Sequence, residues 1–237
     1  MLDKTKKAIR DFTDLTNFVR GEISKVDPGL RDSVKKDREA DIMAKHAGKL
    51  NELRAAIADG RKHFQERRLR ESSPATALMR NAWENQHDYS PGMAVVADAV
   101  AGMPVNEMLG FVEELRHPTL TLRAVNALRE RQHSTDDPGA KADIAKAIDR
   151  MTDRYIDRGN IKACARVEIE CIEAELLQID AFGGDATTKL TIAHELTPLR
   201  EIAKDGLDPE IRAARVADAQ ALSDPLERID AGHAMAA

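Results

Sequence analysis

Three pairs of residues carry the spacing of a metal ligand set: Glu84 with His87, Glu114 with His117, and Glu130 with His133. Residues three apart share one face of a helix, and two Glu-x-x-His pairs with two further glutamates build a di-iron site inside a four-helix bundle. The remaining carboxylates could come from Glu168, Glu170, Glu173 or Glu175. All three pairs, however, fall where helices are predicted to end. A histidine there favours the helix dipole and faces water, whereas a buried metal needs ligands from mid-helix. The sequence therefore assigns no metal ligand and no cofactor, and a di-iron helical bundle stands only as an alternative.

The other reactive groups read in the same direction. Arg61, Lys62, Arg67, Arg68 and Arg70, interleaved with Phe64, form the densest basic cluster of the chain. Five cations over one short stretch could grip phosphates. Yet a single aromatic accompanies them, without a helix-turn-helix or zinc signature, so they read as a solvated rod end or a contact for an acidic partner, with nucleic-acid binding the minor alternative. Glu168, Glu170, Glu173 and Glu175 interleave with Val167, Ile169, Ile172 and Leu176, and a helix of that pattern is expected to show its glutamates to water. Cys164 and Cys171 are seven residues apart, about 10.5 Å along a helix, too far for a disulfide and on one face as small core residues. Gly183-Gly184-Asp185 reads as a helix stop and a cap, not a phosphate loop. No catalytic residue and no small-molecule substrate site is expected, and the chain is read as non-enzymatic.

The elements that must position these groups are all helices. Nine prolines punctuate the chain. Asp27, Asp137, Asp208 and Asp224 precede four of them, and Ser73 and Ser90 precede two more. Asp or Ser before a proline is a helix-start signature. Helices are predicted over 3–24, 30–71, 74–87, 92–101, 104–116, 118–133, 138–158, 160–182, 186–204, 208–222 and 224–235, with Thr197-Pro198 starting or kinking one. Glycines at 102, 159, 183, 184 and 206 mark expected stops. The first helix carries a stripe of Ile9, Phe12, Leu15, Val19 and Ile23. The second is a rod of about 60 Å with a thin stripe through Leu30, Val34, Met43, Leu50, Leu53, Ile57 and Phe64. So narrow a stripe must pack on the first helix or on another chain. Met43, Leu50, Leu53, Ile57 and Phe64 are the candidate self-association seam of a coiled-coil homo-oligomer.

Composition agrees. Hydrophobic residues make up 42% and charged residues 32%, while aromatics are only 3%, so the core must be aliphatic. The net charge of −5 hides an asymmetry: residues 1–72 hold 18 Lys/Arg against 13 Asp/Glu, and the remainder holds 18 against 28. A basic section on an acidic body suggests two faces, or the positive part of one chain against the negative part of a neighbour. The fold class is all-α, a long N-terminal hairpin or rod (1–72) followed by an acidic antiparallel multi-helix bundle (73–237). No apolar run approaches the roughly 20 residues of a membrane span, and no signal peptide is evident. The lack of a disulfide framework points to a reducing compartment; the expected location is the cytoplasm of a bacterial cell or, on an assembly role, a virion.

One stretch resembles the gatekeeper proteins of bacterial type III secretion, all-helical regulators of the export apparatus. Glu113-Glu114-Leu115-Arg116-His117-Pro118-Thr119-Leu120-Thr121-Leu122-Arg123-Ala124 is similar to their helix-turn segment, and Tyr155 to Ala163 to a tract ending in glycine, isoleucine and alanine. The resemblance spans about residues 65–165, through helical patterns and not a specific motif. The family usually begins with a polar, flexible secretion signal, where residues 1–24 here read as a helix. The resemblance implies binding to a secretion chaperone and export components, without catalysis. The expected function is thus a helical protein acting by protein–protein contact, as a type III secretion regulator or, alternatively, as a bacteriophage virion structural or assembly protein.

Overall fold

Aspartate and proline together set several helix starts. Asp137 accepts a hydrogen bond from the Gly139 amide at 3.0 Å, with Pro138 in the first turn, and Asp208 does the same for the Glu210 amide. Asp27 instead closes a tight turn onto the Gly29 amide at 2.8 Å, and the next helix begins only at Asp32. The computed structural model describes residues 1–85 and 92–217. Ser90-Pro91, Asp224-Pro225, His87 and the predicted helix 224–235 lie outside them.

The described residues are helices joined by turns. They form α1 (Leu2–Ile23), α2 (Asp32–Ser72), α3 (Pro74–Glu84), α4 (Gly92–Gly102), α5 (Val105–Glu114), α6 (Pro118–Ser134), α7 (Pro138–Asp153), α8 (Arg158–Phe182), α9 (Ala186–His194) and α10 (Leu196–Asp205), and residues 209–217 are helical again. No strand occurs among them. The all-α class is therefore as expected. The predicted helix 186–204 divides at Glu195, in keeping with a start or kink at Thr197-Pro198, because Pro198 has no amide hydrogen to offer the His194 carbonyl. One local expectation needs correction. The helix predicted to reach 158 stops at Asp153, and Gly159 falls in the first turn of α8 instead of ending its predecessor. Gly183 and Gly206 do end helices, in left-handed conformations with φ of 75° and 69°.

The chain divides into two compact units, and each is discontinuous. The first holds residues 1–68 and 159–206; the second holds 69–158 and 207–237. This division follows contacts, whereas the expected one at 72/73 followed charge. Residues 159–206 group with the N-terminal helices.

In the second unit α6 packs against α3, α4 and α7, and α5 against α7. Its core is aliphatic: Leu78, Val100, Met108, Val112, Val125, Leu128, Ile144 and Met151 are all at most 1% exposed. The α5–α6 turn is clamped from α7 and the residues after it. Arg150 reaches Glu113 at 2.6 Å, Arg154 donates to the Leu115 carbonyl, and the Tyr155 hydroxyl donates to the Arg116 carbonyl at 2.9 Å while sharing a hydrogen bond with Thr121. Arg131, in the last turn of α6, donates to the Val100 carbonyl near the end of α4.

In the first unit α1, α2 and α8 share a core of Ala8, Phe12, Leu50, Leu53, Ile57, Phe64, Cys164, Val167, Cys171 and Ala174. The buried face of α1 runs through Thr5, Ala8, Phe12, Thr16 and Val19. Ile9, Leu15 and Ile23 of the expected stripe are only partly buried at its edge. Thr5 opens this face where α2 comes close: a side chain at Gly60 would run into the Thr5 side chain. The thin stripe of α2 splits in two. Leu50, Leu53, Ile57 and Phe64 are buried, whereas Met43 is half-buried and Leu30 and Val34 are exposed.

Candidate interaction groove

The expected self-association seam is a set of core positions in this chain. Leu50, Leu53, Ile57 and Phe64 face α1 and α8 of the same chain, so α2 folds back and these side chains are not presented to a second copy. Only Met43, in the less buried first half of α2, remains partly accessible.

The basic cluster is likewise sorted by helix face. Arg61, Phe64 and Arg68 lie one turn apart and turn inward. Arg68 is buried, its Nε 3.1 Å from Glu168 Oε2. Arg61 pairs with Glu175 at 3.8 Å and also with Glu195. Lys62 and Arg70 are exposed, and Arg67 is half-buried. The acidic set of α8 answers these cations. Glu168 meets Arg68, Glu170 meets Lys6 at 4.0 Å, Glu173 meets Arg200 at 3.7 Å, and Glu175 meets Arg61. The expectation that these glutamates face water holds for Glu173, which is exposed, and fails for Glu168, which is 2% exposed. Lys6, Arg61 and Arg68 of the basic section thus meet carboxylates of the same chain. Counted over its two segments, the first unit holds 22 Lys/Arg against 21 Asp/Glu, nearly neutral, and the second holds 14 against 20.

One open feature stands out. A groove of about 480 Å³ lies along the outer edge of α2, lined by Phe12, Arg54, Ala55, Ile57, Ala58, Arg61, Lys62, Gln65, Cys171, Glu175 and Gln178. Phe12, Ile57 and Cys171, buried in the core, form its floor. Arg54, Ala58, Arg61 and Gln65 recur at i, i+4, i+7 and i+11, a straight row on a helix, with Ala55 and Lys62 beside it. Arg54, Ala55, Ala58, Lys62 and Gln65 are all exposed. Arg61 is held by its two glutamates, while Arg54 and Lys62 make no ion pair among the described residues. Arg61 and Lys62 stand out in the sequence as part of the basic cluster, whereas Arg54 and the two alanines do not. A heptad-spaced Arg54/Arg61 pair flanking small residues was the available signal.

The groove is not built for nucleophilic chemistry. Burial pushes the Cys171 thiol up to about 12; Arg61 opposes the rise, and Glu170 and Glu168 add to it. A thiol so held is neutral at physiological pH and a poor nucleophile. Of the Glu-x-x-His pairs, Glu84 and Glu114 are the last residues of α3 and α5, and Glu130 and His133 are both exposed in the last turns of α6. Among the described residues no three His, Cys, Asp or Glu side chains converge to hold a metal ion. No helix among them is long and apolar enough to cross a membrane.

No protein-family model, curated protein or solved structure matches this chain.

Proposed function

We propose that this chain is a non-enzymatic helical protein that acts through protein–protein contacts, with the α2 groove as a contact surface. The observation that carries the reading is the pairing pattern of the first unit. Cations on its inner faces are matched by glutamates of α8, while Arg54 and Lys62 flank an uncovered groove with an apolar floor. An apolar centre with a polar, charged rim is the anatomy of a protein interface. The resemblance to type III secretion gatekeepers gives the reading one concrete form, a secretion regulator whose partners are a chaperone and export components.

The test is affinity capture from the native cell with the wild-type chain and with the Arg54→Glu/Lys62→Glu variant, read by quantitative mass spectrometry. A defined protein recovered with the wild type and depleted about tenfold with the variant supports the reading, since a reversed rim charge weakens association on this scale. Equal protein sets in the two captures overturn the groove as a contact surface. Export-apparatus proteins among the depleted set favour the gatekeeper form; portal, capsid or tail proteins replace it with virion assembly.

A further inference from the structure

The groove has a length, a profile and a charge, and together they specify what fits it. From Arg54 to Gln65 the lined face of α2 runs about 17 Å, three helical turns. Its middle is flat and small, with Ala55 and Ala58 exposed, so a second backbone can approach closely there. Helices pack at 8–10 Å between axes, and small residues at the contact favour the shorter distance. Phe12 and Ile57 lie beneath this flat stretch, buried, and the accessible apolar surface is that of Ala55 and Ala58. The two cations that make no ion pair among the described residues, Arg54 and Lys62, stand about 12 Å apart along the helix, near its two ends.

We infer that the groove binds a three-turn, acidic amphipathic helix of a protein partner, its apolar face on Ala55 and Ala58 and carboxylates seven or eight residues apart against Arg54 and Lys62. The inference rests on the interaction reading above and names the occupant. This is recognition of an amphipathic helix in a hydrophobic groove, with i, i+3, i+4, i+7 anchors. Charge complementarity selects the acidic partner. A duplex fits poorly: it presents a charge about every 1.7 Å of its axis, whereas this groove offers three cations, one already neutralised by Glu175 and Glu195, over an apolar floor.

The experiment uses the full chain and synthetic peptides of four helical turns carrying a fluorophore. One peptide has leucines at i, i+3, i+4 and i+7 with glutamates flanking them; a second has the same composition scrambled; a third replaces the glutamates with lysines. A short DNA duplex is the fourth probe. Anisotropy titrations are expected to show the acidic amphipathic peptide binding about tenfold or more tightly than the other three. Arg54→Glu/Lys62→Glu is expected to reverse that order and take the lysine peptide instead. Ala58→Trp, which fills the groove without changing charge, is expected to abolish both. All three changes fall on exposed positions, and unchanged far-ultraviolet circular dichroism verifies the fold.

Equal binding of the scrambled peptide, preference for the duplex, no binding at all, or a wild-type mass that doubles in solution and excludes the peptide would each overturn the acidic helix as occupant. The two readings fail separately. A native partner lost on charge reversal, with no peptide selectivity, leaves the groove and removes the helix. Peptide selectivity with no native partner removes the interaction function instead.

Discussion

The two units bury charge to different degrees. In the second, the interior of α3 to α7 is aliphatic, the Glu113–Arg150 pair lies at the surface with both side chains at least a third exposed, and the buried Glu71 pairs with an Arg80 side chain 35% exposed. In the first, α2 and α8 bring charge to the interior itself: Arg68 and Glu168 have side chains 9% and 3% exposed. The physical difference lies in what each sequence offered. Short, Pro-started helices rich in Val, Leu, Ile and Met can fill a core with one face each. The second half of α2 carries an arginine every turn or so, and its thin apolar stripe cannot exclude all of them. A buried arginine is tolerable only beside a carboxylate, and α8 supplies it.

The sharpest way to break this contrast is to remove one member of the buried pair. Glu168→Ala removes the carboxylate 3.1 Å from Arg68 Nε in the interior of the first unit, and the expected loss is about 3–5 kcal/mol in denaturant unfolding. Arg68→Met with Glu168→Leu removes both charges and fills the space, and its expected effect is neutral or stabilising. If Glu168→Ala is as mild as a surface substitution, the pair is not the organising contact of this unit.

A second test uses the closest backbone approach. Gly60 sits against Thr5 with no room for a side chain, and Thr5 is short and itself 3% exposed, so it has little freedom to move aside. Gly60→Val is expected to destabilise by about 1–3 kcal/mol through overpacking of α1 on α2. Thr5→Gly in the same chain should recover part of the loss. No recovery would mean that the crossing of α1 and α2 is not what Gly60 permits.

These two sites show what could be read in the sequence and what could not. Helix content was legible throughout, because Asp and Ser before proline and a heptad-like stripe are local signals; Asp137 and Pro138 behave as written. The place where a long helix folds back is non-local. Nothing near Leu50, Leu53 or Ile57 says whether their partner is α8 or another chain, so a seam and a core look alike. The charge asymmetry misled for the same reason: residues distant in sequence, Arg68 and Glu168, cancel in space. Gly60 was visible as a glycine inside a strong helix, a residue that costs about 1 kcal/mol there against alanine and so calls for a packing reason. Arg61 and Lys62 of the groove were legible as basic residues. That Arg68 turns inward while Lys62 turns outward depends on the register of α2, which only its packing fixes.

Smaller effects are expected where charge stays in water. Arg150→Ala removes the pair with Glu113 at the α5–α6 turn of the second unit and is expected to cost no more than about 1 kcal/mol, since exposed pairs contribute little and are screened by salt. Added salt should shrink even that difference. A loss comparable to Glu168→Ala would erase the distinction between the two units.

The mildest case is the cap of α9, where an exposed carboxylate works through backbone hydrogen bonds and not through an ion pair. The amide of Thr188, then that of Thr187, holds the Asp185 carboxyl below its usual range, with Thr188 N at 3.1 Å from Oδ2. A carboxyl whose folded value lies below its unfolded one stabilises the helix start above the unfolded value and loses that contribution as pH falls through the folded value. Amide protection at Thr188 and Lys189 is therefore expected to decline on acidification, starting near the ordinary 3.8 and ending below the lowered value. Asp185→Asn keeps an acceptor at the cap but cannot titrate, so its protection should stay level over the same interval. Asp185→Ala should show low protection at every pH. A decline in the asparagine variant as steep as in the wild type would assign the acid sensitivity of α9 to some other group.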